Sequence, residues 1–251
     1  MTEHVANRID APSAEVAPSG PAFGGEDNGS GQQRLVVKGL IAVNVVIAVI
    51  GLVMIAMTDG LDGPAAMVDG ISKLHEWGEM DGRGVDDGEA WRLGTSMFIH
   101  YGLLHLAVNM VMLGLAGWRL EPLLGSRRFL GTYLLSGFAA AVATYFFSHD
   151  ALTAGASGAT FGTFAALFVV ALRLGLSKVL PAVLVLVGVV ATFAIPGMAI
   201  AAHVAGLLVG AIVAAAYAYP TGDSRARIQR TVPLATLAVL AILVAVAAQL
   251  A

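Results

Sequence analysis

A serine between glycines opens one of the apolar segments of this chain. Gly155-Ala156-Ser157-Gly158 leads into a run of apolar residues that ends at Leu172. The run predicts a helix, whose N-terminus offers unpaired N–H groups and the positive end of the helix dipole. A hydroxyl nucleophile placed there would generate an oxyanion beside donors already in position. The position of Ser157 therefore indicates acyl transfer.

Other apolar segments supply the remaining groups that acyl transfer needs. His203 is a candidate base for the Ser157 hydroxyl. His105 and Asn109 are four residues apart, so they share one helix face and could donate to an oxyanion together with the Ser157 N–H. His100, which we place on the same helix, is five residues from His105 and is expected on a different face.

Residue types that these segments lack argue against other chemistries. No Asp or Glu lies deep in an apolar segment, so an aspartyl protease or a proton-coupled transporter would miss the carboxylates it uses. The sequence has no cysteine and no His-Glu-x-x-His motif, so we expect neither a metal site nor a cofactor. The net charge of −3 argues against a nucleic-acid partner.

Composition indicates a polytopic membrane protein. The 251 residues are 57% hydrophobic and 12% charged, about half the charge of an average soluble domain. The sequence has seven apolar runs, most of them near the ~20 residues that cross a bilayer, so we predict an all-α fold with seven transmembrane helices. The runs are Gly39–Met57, Leu93–Trp118, Phe129–Phe147, Ser157–Leu172, Val179–Ile195, Met198–Tyr219 and Val232–Leu250.

Paired glycines mark the helices that carry Ser157 and His203. Gly158 and Gly162 form Gly-x-x-x-Gly on the fourth helix, and Gly206 and Gly210 form a second on the sixth. Small residues let helix backbones approach closely inside a membrane. We therefore predict that the fourth and sixth helices pack together and bring the serine and the histidine within hydrogen-bond reach.

The distribution of basic residues predicts the orientation. Only Lys73, Arg83 and Arg92 of the 14 basic residues fall on the side opposite the N-terminal tail, which places that tail in the cytoplasm and the C-terminus outside the cell. We divide the chain into a disordered cytoplasmic tail (1–35), a six-helix core (36–219) with a long acidic external loop (58–92), and a cytoplasmic linker with the seventh helix (220–251).

Each of these features also has a structural interpretation that the residues alone leave open. A serine in a membrane helix commonly bonds to its own backbone. His203, His105 and Asn109 could equally serve as hydrogen-bond partners between helices, and Gly-x-x-x-Gly is a common motif. Each feature taken separately is weak evidence for catalysis. Their combination is much stronger evidence, and it favours a catalytic role.

Several separate motifs between Trp91 and Gly210 resemble the rhomboid intramembrane serine proteases. Their order and spacing agree with that family. The matching segments are Trp91-Arg92, His105-Leu-Ala-Val-Asn109, Leu120-Glu121 followed by Gly125, Gly155-Ala156-Ser157-Gly158, and Ala202-His203 through Gly206 to Gly210.

The resemblance implies a Ser157–His203 dyad without a third carboxylate. It implies oxyanion donors at His105, Asn109 and the Ser157 amide. It further implies a six-helix core around a wet cavity, and membrane-protein substrates, single-pass or polytopic, cut within their spanning helices near the extracytoplasmic surface. We place the protein in the bacterial cell (plasma) membrane.

Two positions depart from the pattern. Phe161 replaces a tyrosine that stands beside the histidine in some members, and Leu123 replaces a basic residue after Glu121. Two other functions are weighed: a rhomboid-like protein that binds membrane helices without cutting them, and a transporter or channel. Retention of both Ser157 and His203 argues against the first, and the lack of deep carboxylates argues against the second.

Overall fold

The computed structural model describes residues 34–58 and 73–249. Most of the predicted N-terminal tail, part of the external loop (59–72) and the last two residues lie outside the described part. Within it, the chain forms ten α-helices: α1 Leu35–Thr58, α2 Lys73–Gly78, α3 Gly82–Asp86, α4 Arg92–Thr95, α5 Gly102–Leu124, α6 Ser126–Phe147, α7 Ser157–Leu174, α8 Val179–Ala194, α9 Ile200–Ala218 and α10 Arg225–Ala247.

The predicted all-α membrane fold is confirmed. Six helices are long and apolar enough to cross a membrane, namely α1, α5, α6, α7, α9 and a segment comprising α10 and the short 3₁₀ turn before it. The remaining apolar run forms α8, which has 16 residues. Each of the seven apolar runs in the sequence therefore contributes one long helix to the described part of the structure.

The second apolar run begins differently from the prediction. Its first residues form α4 and a 3₁₀ turn at Ser96–Phe98, and the long helix α5 begins only at Gly102. Gly102 has a φ of 81°, a conformation that interrupts a helix and that glycine adopts without strain. Placing His100 on the second spanning helix was therefore wrong, because it lies in the turn before α5.

Helix α7 occupies the centre of the bundle and packs against α5, α6, α8 and α9. Its approach to α9 is close enough that only glycine fits. A Cβ added to Gly206 would lie 2.1 Å from the carbonyl oxygen of Gly158, and one added to Gly210 would lie 2.2 Å from that of Gly162. On α7, a Cβ added to Gly158 would meet Ala140 of α6, and one added to Gly162 would meet Ser136 of the same helix.

We expect Gly206→Ala to lower activity about 100-fold and to lower the melting temperature. The atoms in the way are backbone, so α9 must shift by about 1 Å, a displacement that can cost that factor in rate, and overpacking destabilises. Gly114→Ala is the matched control, because nothing lies within 4 Å of a Cβ added at Gly114 on α5. Wild-type melting and cleavage in Gly206→Ala would contradict the close approach.

Glu121 connects the start of α1 to the end of α5. Its carboxylate is buried, and its oxygens accept hydrogen bonds from the N–H groups of Val36 (3.1 Å) and Val37 (2.9 Å) and from the hydroxyl of Ser126 (2.7 Å). A carboxylate at a helix N-terminus satisfies unpaired donors and complements the helix dipole. Leu123 cannot form a salt bridge with Glu121, and the carboxylate is bound instead by two N–H groups and a hydroxyl.

The described part of the loop that we predicted to be external is a folded layer over one end of the bundle. Arg92 is buried and donates to the carbonyl oxygens of Glu76 (2.7 Å) and Glu79 (2.9 Å), and it pairs with Glu89. The indole of Trp91 donates to the carbonyl of Trp77. The Trp-Arg pair thus holds α2 and α4 together beside the turn that precedes α5.

Candidate active site

Ser157 and His203 lie together where α7 begins. Ser157 is the first residue of α7, and His203 lies in the first turn of α9 and is buried. The Oγ of Ser157 is 2.8 Å from the Nε2 of His203, within the range of a hydrogen bond. The contact depends on the glycine packing of α7 against α9 described above.

A threonine that the sequence analysis did not single out completes the hydrogen-bond chain. The hydroxyl of Thr192, on α8, lies 2.8 Å from the Nδ1 of His203 and 2.8 Å from the carbonyl oxygen of Gly188. A carbonyl oxygen only accepts, so the single hydroxyl proton goes to Gly188. Nδ1 of His203 must then carry the proton that Thr192 accepts, which leaves Nε2 free to accept from Ser157.

Phe161 stacks on the imidazole of His203. Their ring centroids are 4.1 Å apart and their planes differ by 12°. The far end of the phenyl ring meets α8 at Gly188, where an added Cβ would lie 2.8 Å from Cζ. Phenylalanine therefore provides the stacking that fixes the orientation of the histidine ring, without a hydroxyl group.

His105 and Asn109 both lie on α5, and the structure brings His105 to the turn before Ser157. A Cβ added to Gly155 would lie 2.8 Å from Cε1 of the His105 ring, and Gly155 has a φ of 136°, so only glycine fits this turn. Asn109 is buried, and its Nδ2 donates to the carbonyl of His105 at 2.9 Å.

His100 holds the residue that precedes Ser157. Its Nε2 accepts a hydrogen bond from the N–H of Ala156 at 3.2 Å, and its ring meets that of His105 edge-on at 5.2 Å. Burial, with a smaller contribution from His105, lowers the pKa of His100 to about 3, so the ring is neutral and able to accept. The expectation that His100 and His105 point apart was wrong, because His100 is outside the helix.

Ser157 lines a small cavity. Its volume is about 40 Å³, enough for roughly three water molecules. Apart from two methionines, the lining is made of small residues. The small residues include Gly155, Gly158, Ala140, Ala154 and Ala202, and the methionines are Met80 and Met97.

Comparisons with known proteins identify one family. A family model for the Rhomboid domain matches residues 87–220. Over 164 residues the chain is 35% identical to the rhomboid protease GluP of Bacillus subtilis (strain 168), which covers 62% of this chain and 32% of that protein. It is 38% identical over 97 residues to RHOMBOID-like protein 6, mitochondrial, of Arabidopsis thaliana, covering 38% and 32%.

These alignments have a limited extent. The matched segment is about a third of the length of either relative. The family model, in contrast, covers more than half of this chain and contains Ser157, His203, His105 and Asn109. Because of that match, and because its helices are long and apolar enough to cross a membrane, this chain belongs to the rhomboid family and is an integral membrane protein.

Proposed function

We propose that this protein is a serine endopeptidase that cleaves the spanning helices of membrane-protein substrates through Ser157 and His203. The observation that carries the proposal is the 2.8 Å contact between the Ser157 Oγ and the His203 Nε2 at the start of a membrane-spanning helix. The contact alone could belong to a packing serine. Its placement at a helix N-terminus, beside a cavity large enough for water, favours catalysis.

The first half of the reaction forms an acyl-enzyme. The Oγ of Ser157 attacks the scissile carbonyl carbon while Nε2 of His203 takes its proton. The negative charge that develops on the carbonyl oxygen lies near the N-terminus of α7, where the Ser157 amide, His105 and Asn109 serve as donors. His203 then returns the proton to the leaving amine as the C–N bond breaks.

The second half consumes water. A water molecule from the cavity beside Ser157 loses a proton to Nε2 of His203 and attacks the acyl carbon. Collapse of the resulting intermediate returns the proton to Oγ and releases the new carboxyl terminus. The small residues of the cavity leave space for water next to the ester, and they favour a small substrate side chain at the cut.

The proposed orientation places the cut in the outer part of the substrate helix. The distribution of basic residues puts the N-terminus in the cytoplasm and the start of α7 toward the outside. Helix α7 has 18 residues, which extend about 27 Å, less than the ~30 Å of hydrocarbon. Ser157 therefore lies a short distance below the outer surface, in the membrane of a bacterial cell.

Covalent labelling of the purified full chain tests this function. A fluorophosphonate should form an adduct on Ser157, located by mass spectrometry of the peptide, and labelling should prevent cleavage of a reconstituted transmembrane substrate. A protein that binds membrane helices without cutting them would leave the substrate intact before and after labelling. Absence of both adduct and cleavage in folded protein would overturn the proposal.

We expect Thr192→Val to lower kcat about tenfold with little change in KM. Valine has a similar size but removes the group that accepts from Nδ1 of His203, so the tautomer that leaves Nε2 free to accept is no longer selected. The rate of fluorophosphonate labelling should fall in parallel while the final extent of labelling stays the same. Thr192→Ser keeps the acceptor and should restore the rate.

Two results would show that Thr192 is only a packing residue. One is an unchanged labelling rate in Thr192→Val. The other is a loss of rate in Thr192→Ser as large as in Thr192→Val, since the serine lacks only the methyl group. Thermal melting of all three proteins separates these results from a loss of folded material.

A further inference from the structure

Four arginines line a cavity at the end of the molecule away from Ser157. The cavity has a volume of about 660 Å³ and lies where α6 and α10 begin and α9 ends. One carboxylate, that of Asp223, is also in the lining. The arginines are Arg127 and Arg128 of α6, and Arg225 and Arg230 of α10.

Hydrogen bonds between three helices build the walls of this cavity. Nη2 of Arg128 donates to Oε1 of Gln229 at 3.0 Å, and Nε2 of Gln229 donates to the carbonyl of Tyr217 at 2.7 Å. The guanidinium of Arg128 also lies over the ring of Tyr217, 5.6 Å from its centroid. Gln229 thus connects α6, α9 and α10, so the arginines of different helices are held around one space.

The electrostatics of the cavity favour an anion. The protein as a whole carries a net charge of −3, yet the described residues that line this cavity include four arginines and one carboxylate. Arg127 and Arg128 lie in the first turn of α6, and Arg225 is the first residue of α10. A helix N-terminus is itself partly positive, so these helix ends add to the positive potential of the arginines. An anion bound in the cavity would be attracted by both.

The position relative to the membrane indicates which anion is available. The segments containing α6 and α10 are long and apolar enough to cross a bilayer, so their N-terminal ends lie at the depth of lipid headgroups. The other end of α6 leads to the turn before Ser157, so the cavity faces the opposite leaflet. Exposed apolar side chains follow on both helices, Leu134 on α6 and Leu234 and Leu237 on α10.

We propose that this cavity binds the phosphate group of an anionic lipid headgroup. Planar guanidinium groups match phosphate oxygens with paired hydrogen bonds, and basic pockets between spanning helices on one membrane face are suited to such headgroups. The acyl chains would leave along the exposed apolar residues of α6 and α10. A bound lipid would add contacts to α10, which packs mainly against α6, α9 and the turn before it.

Thermal unfolding of the purified full chain in neutral detergent tests the proposal. Short-chain phosphatidylglycerol, short-chain phosphatidylcholine and inorganic phosphate are added in separate titrations, and native mass spectrometry counts the bound lipids. We compare the wild type with the double variant Arg225→Gln/Arg230→Gln. The matched control is Arg119→Gln/Arg227→Gln, which removes the same charge from arginines outside the lining.

Phosphatidylglycerol should raise the melting temperature of the wild type saturably, with phosphatidylcholine giving little effect. The affinity should fall about tenfold to thirtyfold in Arg225→Gln/Arg230→Gln, since each basic group near the surface contributes a factor of about five, and it should remain in the control. An equal response to inorganic phosphate would support the phosphate site while assigning it to a soluble ligand. No saturable response, or equal losses in both double variants, would overturn the proposal.

Discussion

Ser157→Ala is expected to lower the cleavage rate of a transmembrane substrate by about 10⁶, to the limit of detection. The substitution removes the only atom that would bond to the substrate carbonyl carbon, and loss of one member of a nucleophile–base pair can cost this factor. Ser157 is half-buried at the first position of α7, where alanine is readily accommodated. The measurement is cleavage of a reconstituted substrate by equal amounts of folded protein.

The control for this experiment is Ser224→Ala, which removes an exposed hydroxyl far along the chain from the site. Both variants should melt like the wild type, within a few degrees. Ser224→Ala should cut and should react with a fluorophosphonate, and Ser157→Ala should do neither. Cleavage by highly purified Ser157→Ala above the background of a mock preparation would show that another group is the nucleophile.

The residues of the candidate site could be found from the sequence because they are a few unusual polar residues in apolar segments. Ser157 and His203 are costly to place in a membrane, so each is a functional candidate from the sequence alone. Their distance was inferred from the glycines of the two helices, and the structure places Gly206 directly against Gly158. The catalytic roles of these residues remain a proposal that the experiments above test.

Thr192 and His100 show which parts of the site the sequence could not provide. A threonine in an apolar helix commonly bonds to the carbonyl four residues before it, as Thr192 does with Gly188. Its second contact, with His203, depends on how α8 packs on α7 and α9, which no local pattern encodes. His100 was misplaced because apolar residues continue through the turn, and only Gly102 signals the break.

Some helix boundaries could be predicted from the sequence and others could not. The start of α7 at Ser157 agreed with the prediction, because the glycines before it mark a turn. In contrast, α10 begins at Arg225, well before the apolar run at Val232. Charged residues extend a helix beyond the hydrocarbon region at little cost, so hydropathy locates the part that spans the membrane and not the end of the helix.

The second large effect concerns the donors to the oxyanion. We expect His105→Ala and Asn109→Ala each to lower kcat by about 10² to 10³, the usual cost of removing one such donor. His105 packs against the Gly155 turn, and Asn109 bonds to the main chain of His105, so either variant could also disturb the turn. The experiment must therefore separate stabilisation of the transition state from positioning of Ser157.

A peptide aldehyde provides that separation. It forms a hemiacetal with Ser157 whose oxygen occupies the place of the oxyanion, so its affinity should fall in parallel with kcat/KM for each variant. Asn109→Asp keeps the size of the side chain and replaces the donor with an acceptor, so it should lose at least as much activity as Asn109→Ala. Aldehyde affinity that stays at the wild-type value while kcat/KM falls would assign His105 and Asn109 to shaping the turn, because a donor to the oxyanion must contribute to both.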